Sequence, residues 1–168
     1  MSSRRTPEPR WLDAEERAAW VRLASVAELL PAALDAQLRR DADLTHFEYW
    51  VLSMLSEAES RTLRMTALAE RTNASLSRLS HVVSRLEDRG LLERFPCPED
   101  KRATNARLTA EGWDKVVETA PGHLAAVRHF VIDGLSREQL AQLAAISESI
   151  LENVDPERRI TGPLTAES

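Results

Sequence analysis

Polar side chains recur at helical spacing in the middle of the chain, and their types suit contact with a nucleic acid. Two arginines and a histidine can donate hydrogen bonds to phosphates or base edges, and short hydroxyl side chains allow a close approach. They share one face of a predicted helix: Ser77, Arg78, His81, Ser84 and Arg85. Apolar residues spaced three or four apart mark the opposite face, which is expected to be buried: Leu76, Leu79, Val83 and Leu86. A solvated surface helix is the alternative interpretation of this face alone.

The segments around this helix follow the order of a winged helix-turn-helix. Met65, Leu68 and Ala69 mark the apolar side of a shorter helix before it, and a turn at 72–74 separates the two. The second helix should end at Gly90, because glycine readily adopts the left-handed conformation found just past helix ends. The strand-like segments LLERF and NARL then flank a polar tip, PEDKRAT. A unit of this kind places its second helix in the major groove of DNA.

Hydroxyl residues stand near the start of both helices of this pair. A very short strand is expected at 63–65, so Thr66 is predicted to cap the first helix, where a hydroxyl and unpaired N–H groups also favour a phosphate. Ser75, just before the second helix, is assigned to the same set of DNA-contacting residues.

The tip of the predicted wing carries Asp100, Lys101 and Arg102. An arginine at a hairpin tip fits the narrow minor groove, where the negative potential is strongest, so Arg102 is assigned there and Lys101 to a phosphate. Asp100 is expected to position the wing by pairing with Arg102 or with wing backbone, because phosphates would repel its carboxylate. A flexible loop that is merely charged is the alternative.

The net charge of −5 conceals a basic region. Between Arg61 and Arg107 there are 10 Lys or Arg residues against 6 Asp or Glu, whereas the remainder has 12 against 21. A basic segment on an acidic body would orient the protein on a polyanion and disfavour non-specific wrapping.

Long amphipathic helices are predicted on both sides of this unit. The first begins near Asp13 and continues through Pro31 as one kinked helix, because the proline does not change the phase of the apolar series. Thr45, Thr109 and Ser136 have the spacing of helix N-caps. A long amphipathic helix ahead of a DNA-binding unit has little of its own domain to bury against. A second subunit is therefore expected.

The segment LAERTNASLSRLSHVVSRLEDRGLLER, followed by PEDKRA and LTAEG, resembles the MarR family of bacterial transcriptional regulators. In that family an Asp-x-Arg element of the wing precedes Leu-Thr-x-x-Gly, which is matched here at 100–102 and 108–112. The resemblance extends from about Ala14 to Val154. It implies a symmetric homodimer that represses transcription and leaves DNA when a small, often aromatic or phenolic, molecule binds. The two-fold of such a dimer predicts a pseudo-palindromic operator with half-sites about one helical turn apart.

The expected fold is mainly α, a three-helix unit with a small β wing between long dimerisation helices. The dimer role of those helices is implied by the resemblance. Five regions follow along the chain: a disordered tail at 1–10, an N-terminal dimerisation helix at 11–44, the winged helix-turn-helix DNA-binding domain at 45–108, C-terminal dimerisation helices at 109–154 and a frayed tail at 155–168.

An effector cavity is implied by the same resemblance, because in the family it is lined by the first, second and fifth helices. Aromatic and imidazole side chains on the corresponding helices could line it: Trp20, His46, Tyr49, Trp50 and Trp113. An ordinary core is the alternative, since aromatic residues at helical spacing usually pack in cores. No Arg or Lys obviously accompanies them, so the charge of an effector stays open.

The sequence lacks the motifs of common enzyme classes. It contains no glycine-rich phosphate loop, no Gly-x-Ser-x-Gly elbow and no His-Glu-x-x-His helix. The histidines do not have metal-ligand spacing, and His123 and His129 fall on different helix faces. We therefore expect no enzyme activity, no metal and no cofactor. A helical protein-interaction module is an alternative function, although it would not require a basic wing tip.

Cysteine content and hydropathy bear on the compartment. The single cysteine cannot form an internal disulfide, and the sequence has neither a long apolar run nor a signal-peptide pattern. A cytoplasmic protein without membrane contact is expected. Cys97, between Pro96 and Pro98, is either an inert thiol or a redox switch that would disturb the wing.

Overall fold

A computed structural model describes residues 9–98 and 100–160 of the chain. Over these residues the chain is mainly helical, with one small antiparallel sheet, which confirms the predicted fold class. The helices are α1 (Ala14–Ala42), α2 (His46–Glu57), α3 (Met65–Arg71), α4 (Leu76–Asp88), α5 (Ala110–Val127) and α6 (Arg137–Val154). The strands are β1 (Thr62–Arg64), β2 (Leu92–Pro96) and β3 (Thr104–Leu108). A 3₁₀ turn at Glu59–Arg61 precedes β1, and a π-helical turn at Arg128–Ile132 follows α5.

Side-chain caps start several of these helices where the sequence predicted them. At α2 the N–H of Glu48 donates to Thr45 Oγ1 over 3.0 Å, and Glu48 Oε2 accepts the N–H of Thr45 over 2.8 Å. The same reciprocal pair joins Ser136 and Gln139 at α6. Each such box satisfies backbone donors that the first helical turn leaves unpaired.

The prediction that Thr66 caps α3 is wrong. β1 ends at Arg64, one residue earlier than expected, because its pairing with β3 ends where Arg64 lies opposite Asn105. Arg64 therefore occupies the cap position with extended backbone, and its side chain makes no capping hydrogen bond. Thr66 is an exposed residue inside the first turn of α3.

The three strands form a sheet in the order β1-β3-β2, with both pairs antiparallel. Ala106 at the centre of β3 lies opposite Leu63 on one side and Arg94 on the other. Leu63 and Ala106 are buried, so this sheet closes one side of the hydrophobic core. The loop between β2 and β3 is the wing.

The core lies within the winged helix-turn-helix unit and is built mostly of leucine and valine. From α4 it takes four side chains: Leu79, Val82, Val83 and Leu86. The prediction that Leu76 belongs to this buried face is wrong, since its side chain is 51% exposed. Leu76 is the first residue of α4, and core contact begins one turn later. Gly90 has φ of +71°, the left-handed conformation predicted for it.

The chain divides into two compact units between Ala33 and Leu34. In the first unit, α1 carries several exposed apolar side chains, among them Trp20 at 59% exposure. In the second unit, α6 contributes no buried residue. Its apolar side chains are exposed: Leu143, Ile146, Ile150 and Val154.

Residues 155–160, the first part of the tail that is predicted to fray, form turns held by Asp155 in the structure. Its two carboxylate oxygens accept the N–H groups of Arg159 and Ile160, each over 3.0 Å. The rest of the predicted C-terminal tail, and residues 1–8 of the N-terminal one, lie outside the described residues.

Among the helices that the structure describes, none combines the length and apolarity needed to cross a membrane. The predicted cytoplasmic location stays a prediction.

Candidate nucleic-acid interface

The outer face of α4, defined by Ser77, Arg78, His81, Ser84 and Arg85, is polar and accessible. Ser84 is half-buried and the other four side chains are exposed. Ser75 caps the helix, because its Oγ accepts the N–H of Arg78 over 3.2 Å. The structure therefore presents the predicted set of hydroxyl, guanidinium and imidazole groups on one side of the helix that follows the tight turn.

The first turn of α2 holds both arginines of this face. The Arg78 guanidinium carbon lies 4.2 Å from the centroid of the Phe47 ring, a cation–π contact. Arg85 pairs with Glu48 over 3.2 Å, and the Glu48 side chain is only 8% exposed. Sequence reasoning missed this arrangement, because the partners lie on different helices and their spacing gives no signal. The two contacts restrict the directions in which the arginines can point.

Ion pairs also brace the base of the wing. Arg94 on β2 binds the Glu87 carboxylate through its backbone N–H and its guanidinium, with separations of 2.8 Å and 2.5–2.8 Å. These hydrogen bonds hold the pKa of Glu87 below its ordinary value. Across the sheet, Arg107 pairs with Glu93 over 2.6 Å. The wing is thus tied to the C-terminal end of α4, and part of the local positive charge is neutralised.

The wing tip presents its cations outward. The Arg102 side chain is 94% exposed, and Lys101 is also exposed. Asp100 Oδ1 accepts the backbone N–H of Arg102 over 3.0 Å and lies 3.5 Å from its Nε. The Asp100 carbonyl accepts the N–H of Ala103 over 2.8 Å, which closes the turn. Asp100 therefore makes the contacts expected of a wing-positioning residue, while its role on DNA stays a prediction.

Cys97 lies below this tip and is 2% exposed. Its backbone N–H donates to the carbonyl of Ala103 over 2.9 Å. A buried thiol is poorly placed for oxidation, which requires access as well as thiolate character. This geometry favours the inert-thiol interpretation over the redox switch.

The residues assigned to an effector cavity do not form one group. In the second unit, His46 lies 5.8 Å from Trp50 and 6.2 Å from His123, between ring centroids, and Tyr49 lies 4.7 Å from His123. Trp113 instead packs under the Arg61 guanidinium, 3.8 Å from its ring centroid. Trp20 belongs to the first unit, where its side chain is 59% exposed.

Polar atoms are buried in this imidazole–aromatic cluster, defined as His46, Tyr49, Trp50 and His123. Within the described residues, Trp50 Nε1 and His123 Nδ1 have no hydrogen-bond partner, and neither has Thr119 Oγ1, one turn before His123 on α5. Burial lowers the pKa of both histidines, and the neighbouring His46 lowers that of His123 further. Both imidazoles are thus favoured in their neutral form.

Sequence reasoning missed His123 as a member of this cluster and Thr119 as a buried residue one turn before it. A signal was available, because they follow the buried Val116 at i+3 and i+7 and so continue its face of α5. No group of three or more His, Cys, Asp or Glu residues in the described part of the chain could hold a metal ion.

The fold and the polar face of α4 define a winged helix-turn-helix protein, and comparisons narrow the class. The MarR family model matches residues 44–104. Sco3205, a MarR family transcriptional regulator from Streptomyces coelicolor solved in complex with DNA, has 44% identity and a TM-score of 0.85, covering 95% of this chain and 100% of that one. AbsC, a MarR family transcriptional regulator from the same organism, has 38% identity and a TM-score of 0.82, covering 87% and 98%. The chain belongs to the MarR family of transcriptional regulators.

The match to a curated relative covers a smaller part of both chains. YdcH, an uncharacterized HTH-type transcriptional regulator from Bacillus subtilis, is 35% identical over 83 residues, which is 47% of this chain and 55% of that protein. The chain spans about half the length of the curated relatives it matches.

Proposed function

We propose that the protein binds double-stranded DNA sequence-specifically as a homodimer and represses transcription. The observation that carries this proposal is the exposed polar face of α4 beside an outward-pointing arginine, Arg102, at the wing tip. A recognition helix reads base edges in the major groove, and a tip arginine suits the adjacent minor groove. The relative Sco3205, which was solved with DNA, supports the same activity here.

The residues proposed to contact DNA divide by role. Phosphate contacts fix the position of the protein and base contacts select the sequence. We assign Lys101 and the region around Thr66 to phosphates and Arg102 to the minor groove. The base-reading set is the outer face of α4, with Ser75 at its start.

Exposed apolar side chains support the dimer. α6 buries none of its residues within one chain, and Ile146 is 60% exposed. Apolar surface on this scale marks an interaction site more often than an unused surface. A second copy of the chain would cover it, and the resulting two-fold would pair two recognition helices with two half-sites.

The proposal is tested by selecting genomic fragments with the purified protein and footprinting those that bind. We expect a pseudo-palindromic site with half-sites about one helical turn apart and twice the chain mass in sedimentation. If the selection enriches no common DNA site and the protein forms stable complexes with other proteins, the results would favour a protein-interaction module instead. Repression is checked with a reporter gene placed behind the selected site, whose expression should rise when the regulator is deleted.

A small effector is the second part of the proposal, and the imidazole–aromatic cluster supports it. Buried donors and acceptors without partners are costly, and a bound molecule with polar groups on an aromatic ring could satisfy them. Aromatic acids and phenols can be screened for a raised Tm and for release of the selected DNA. A hit should lose both effects in His123→Leu. If the hit still raises the Tm of His123→Leu and still releases the DNA, the effector site lies elsewhere in the protein.

A further inference from the structure

Leu76 stands out as a large apolar side chain on the part of α4 that the proposed function brings to the bases. Its side chain is 51% exposed, whereas Leu79 and Val83, which follow on the same face of the helix, are fully buried. Leu76 therefore contributes little to the core of its own chain. Half of this side chain is therefore available for contact with a partner at the end of α4 that is proposed to meet DNA.

The surroundings of Leu76 favour a close approach to DNA. It is the first residue of α4, directly after the capping residue Ser75 and directly before Ser77. The N-terminal residues of a recognition helix are those that meet base edges. Serine side chains on both sides are short, so they would not hold the helix away from the groove floor.

The chemistry of the major groove leaves one natural partner for an aliphatic side chain. Base edges there present hydrogen-bond donors and acceptors, which an isobutyl group cannot use, and the C5-methyl group of thymine, which it can. Contact between the two would remove apolar surface from water on both sides. The same contact would disfavour cytosine, which carries only a hydrogen in place of the C5-methyl group and presents a polar amino donor beside it.

We propose that Leu76 is a specificity-determining residue that packs against a thymine methyl group in each operator half-site. The proposal rests on the proposed DNA-binding function and adds a base preference to it. Arg78 and His81 would supply hydrogen bonds to neighbouring bases, and Leu76 would supply apolar selection at one position.

The test replaces single thymines of the selected operator by uracil, which removes only the methyl group. Binding to each duplex is measured by fluorescence anisotropy for the wild type, Leu76→Ala and Arg102→Ala at one salt concentration. For the wild type, uracil at one position per half-site should weaken binding on the order of 3- to 10-fold, the scale of burying about one to two methyl-sized groups. Leu76→Ala should bind the thymine and uracil duplexes equally. Arg102→Ala should bind both more weakly and keep the thymine preference.

Two results would overturn the inference. The wild type could bind every uracil duplex as tightly as the thymine duplex. Leu76→Ala could instead keep the full thymine preference, and an equal loss of affinity for all duplexes beside it would favour a contact of the side chain with the sugar-phosphate backbone. In each case selective binding by the wild type would leave the proposed function intact. No selective binding to any genomic fragment would remove both proposals. Circular dichroism and Tm of Leu76→Ala show that the variant is folded.

Discussion

The helices α4 and α6 are both amphipathic, but their apolar faces end up in different environments. On α4 the side chains of Leu79, Val82 and Leu86 are buried in the core of their own unit. On α6 the side chains of Leu143 and Ile146 remain exposed, and the helix contains no buried residue. The comparison separates the part of the sequence that folds one chain from the part that we propose joins two.

The two helices also differ in what their other faces offer. The outer face of α4 carries cations and hydroxyls, and Phe47 and Glu48 restrict its arginines. The polar side of α6 carries Glu148, which pairs with Arg158 in the turn after the helix. A helix whose apolar face is buried in its own unit can use its polar face to bind a ligand. A helix whose apolar face stays exposed is suited to subunit association.

Leu79→Ala should give the largest effect, a loss of about 2–5 kcal/mol in the free energy of unfolding, because it opens a cavity in a filled core. Leu76→Ala on the same helix is the matched control and should change that free energy by less than about 0.5 kcal/mol. Urea unfolding followed by circular dichroism measures both. Equal losses would mean that the two leucines do not differ in burial.

Ile146→Glu should weaken self-association by about 2 kcal/mol or more, because it places a charge without a partner inside an apolar interface. Sedimentation equilibrium would then show a shift from two copies toward one, with the far-ultraviolet spectrum unchanged. Ala141→Glu puts the same charge on the opposite side of α6 and should leave association intact. A dimer that is indifferent to Ile146→Glu would exclude this face from the interface.

Glu48→Gln should lower DNA affinity by about 0.5–1.5 kcal/mol. Without the ion pair to Glu48, the Arg85 side chain is mobile in the free protein, and immobilising it on DNA costs conformational entropy. The amide still offers an oxygen to the Thr45 N–H, so the cap of α2 can persist. In an Arg85→Ala background the same substitution should have no further effect on affinity. Anisotropy titrations of the wild type, the two single variants and the double variant complete this double-mutant cycle. A similar loss in both backgrounds would make Glu48 a structural residue only.

The Glu87–Arg94 pair should give the smallest effect, visible chiefly in acid. Because Arg94 lowers the pKa of Glu87 in the folded state, the pair stabilises the fold above the ordinary pKa of 4.5, and this stabilisation is lost as the pH falls through the lowered value. Both side chains are about a third exposed, so Glu87→Gln should cost no more than about 1 kcal/mol at pH 7. Tm measured from pH 3 to pH 7 should fall less steeply for this variant. A variant curve parallel to that of the wild type would contradict the assignment.

Local signals explain why much of this architecture was predictable. The caps at Thr45 and Ser136 and the glycine at 90 act over three or four residues, and each appears in the structure as expected. The order of helices, turn and wing follows from such signals taken in sequence. Charge alone predicted that Asp100 would pair with Arg102 or with wing backbone, and its carboxylate accepts the backbone N–H of Arg102.

Partners from distant parts of the chain were not predictable. Arg85 pairs with Glu48, and Trp113 packs under Arg61. These contacts depend on how the helices pack against each other, and residue spacing along the sequence does not predict that packing. Leu76 lies on the same helical face as the buried residues Leu79 and Val83. Helical periodicity identifies that face, but it does not predict at which turn of the helix burial begins. Thr66 was misplaced because strand pairing set the start of α3.

The proposed DNA-binding mechanism is tested most directly by fluorescence-anisotropy titration of the selected operator at several salt concentrations, with Arg102→Ala beside the wild type. The exposed position of Arg102 means that the variant should keep the Tm of the wild type. We expect tight, salt-sensitive binding that Arg102→Ala weakens by about 1–3 kcal/mol, with a salt slope smaller by about one. Binding of equal affinity and equal salt slope in the two proteins would contradict the account.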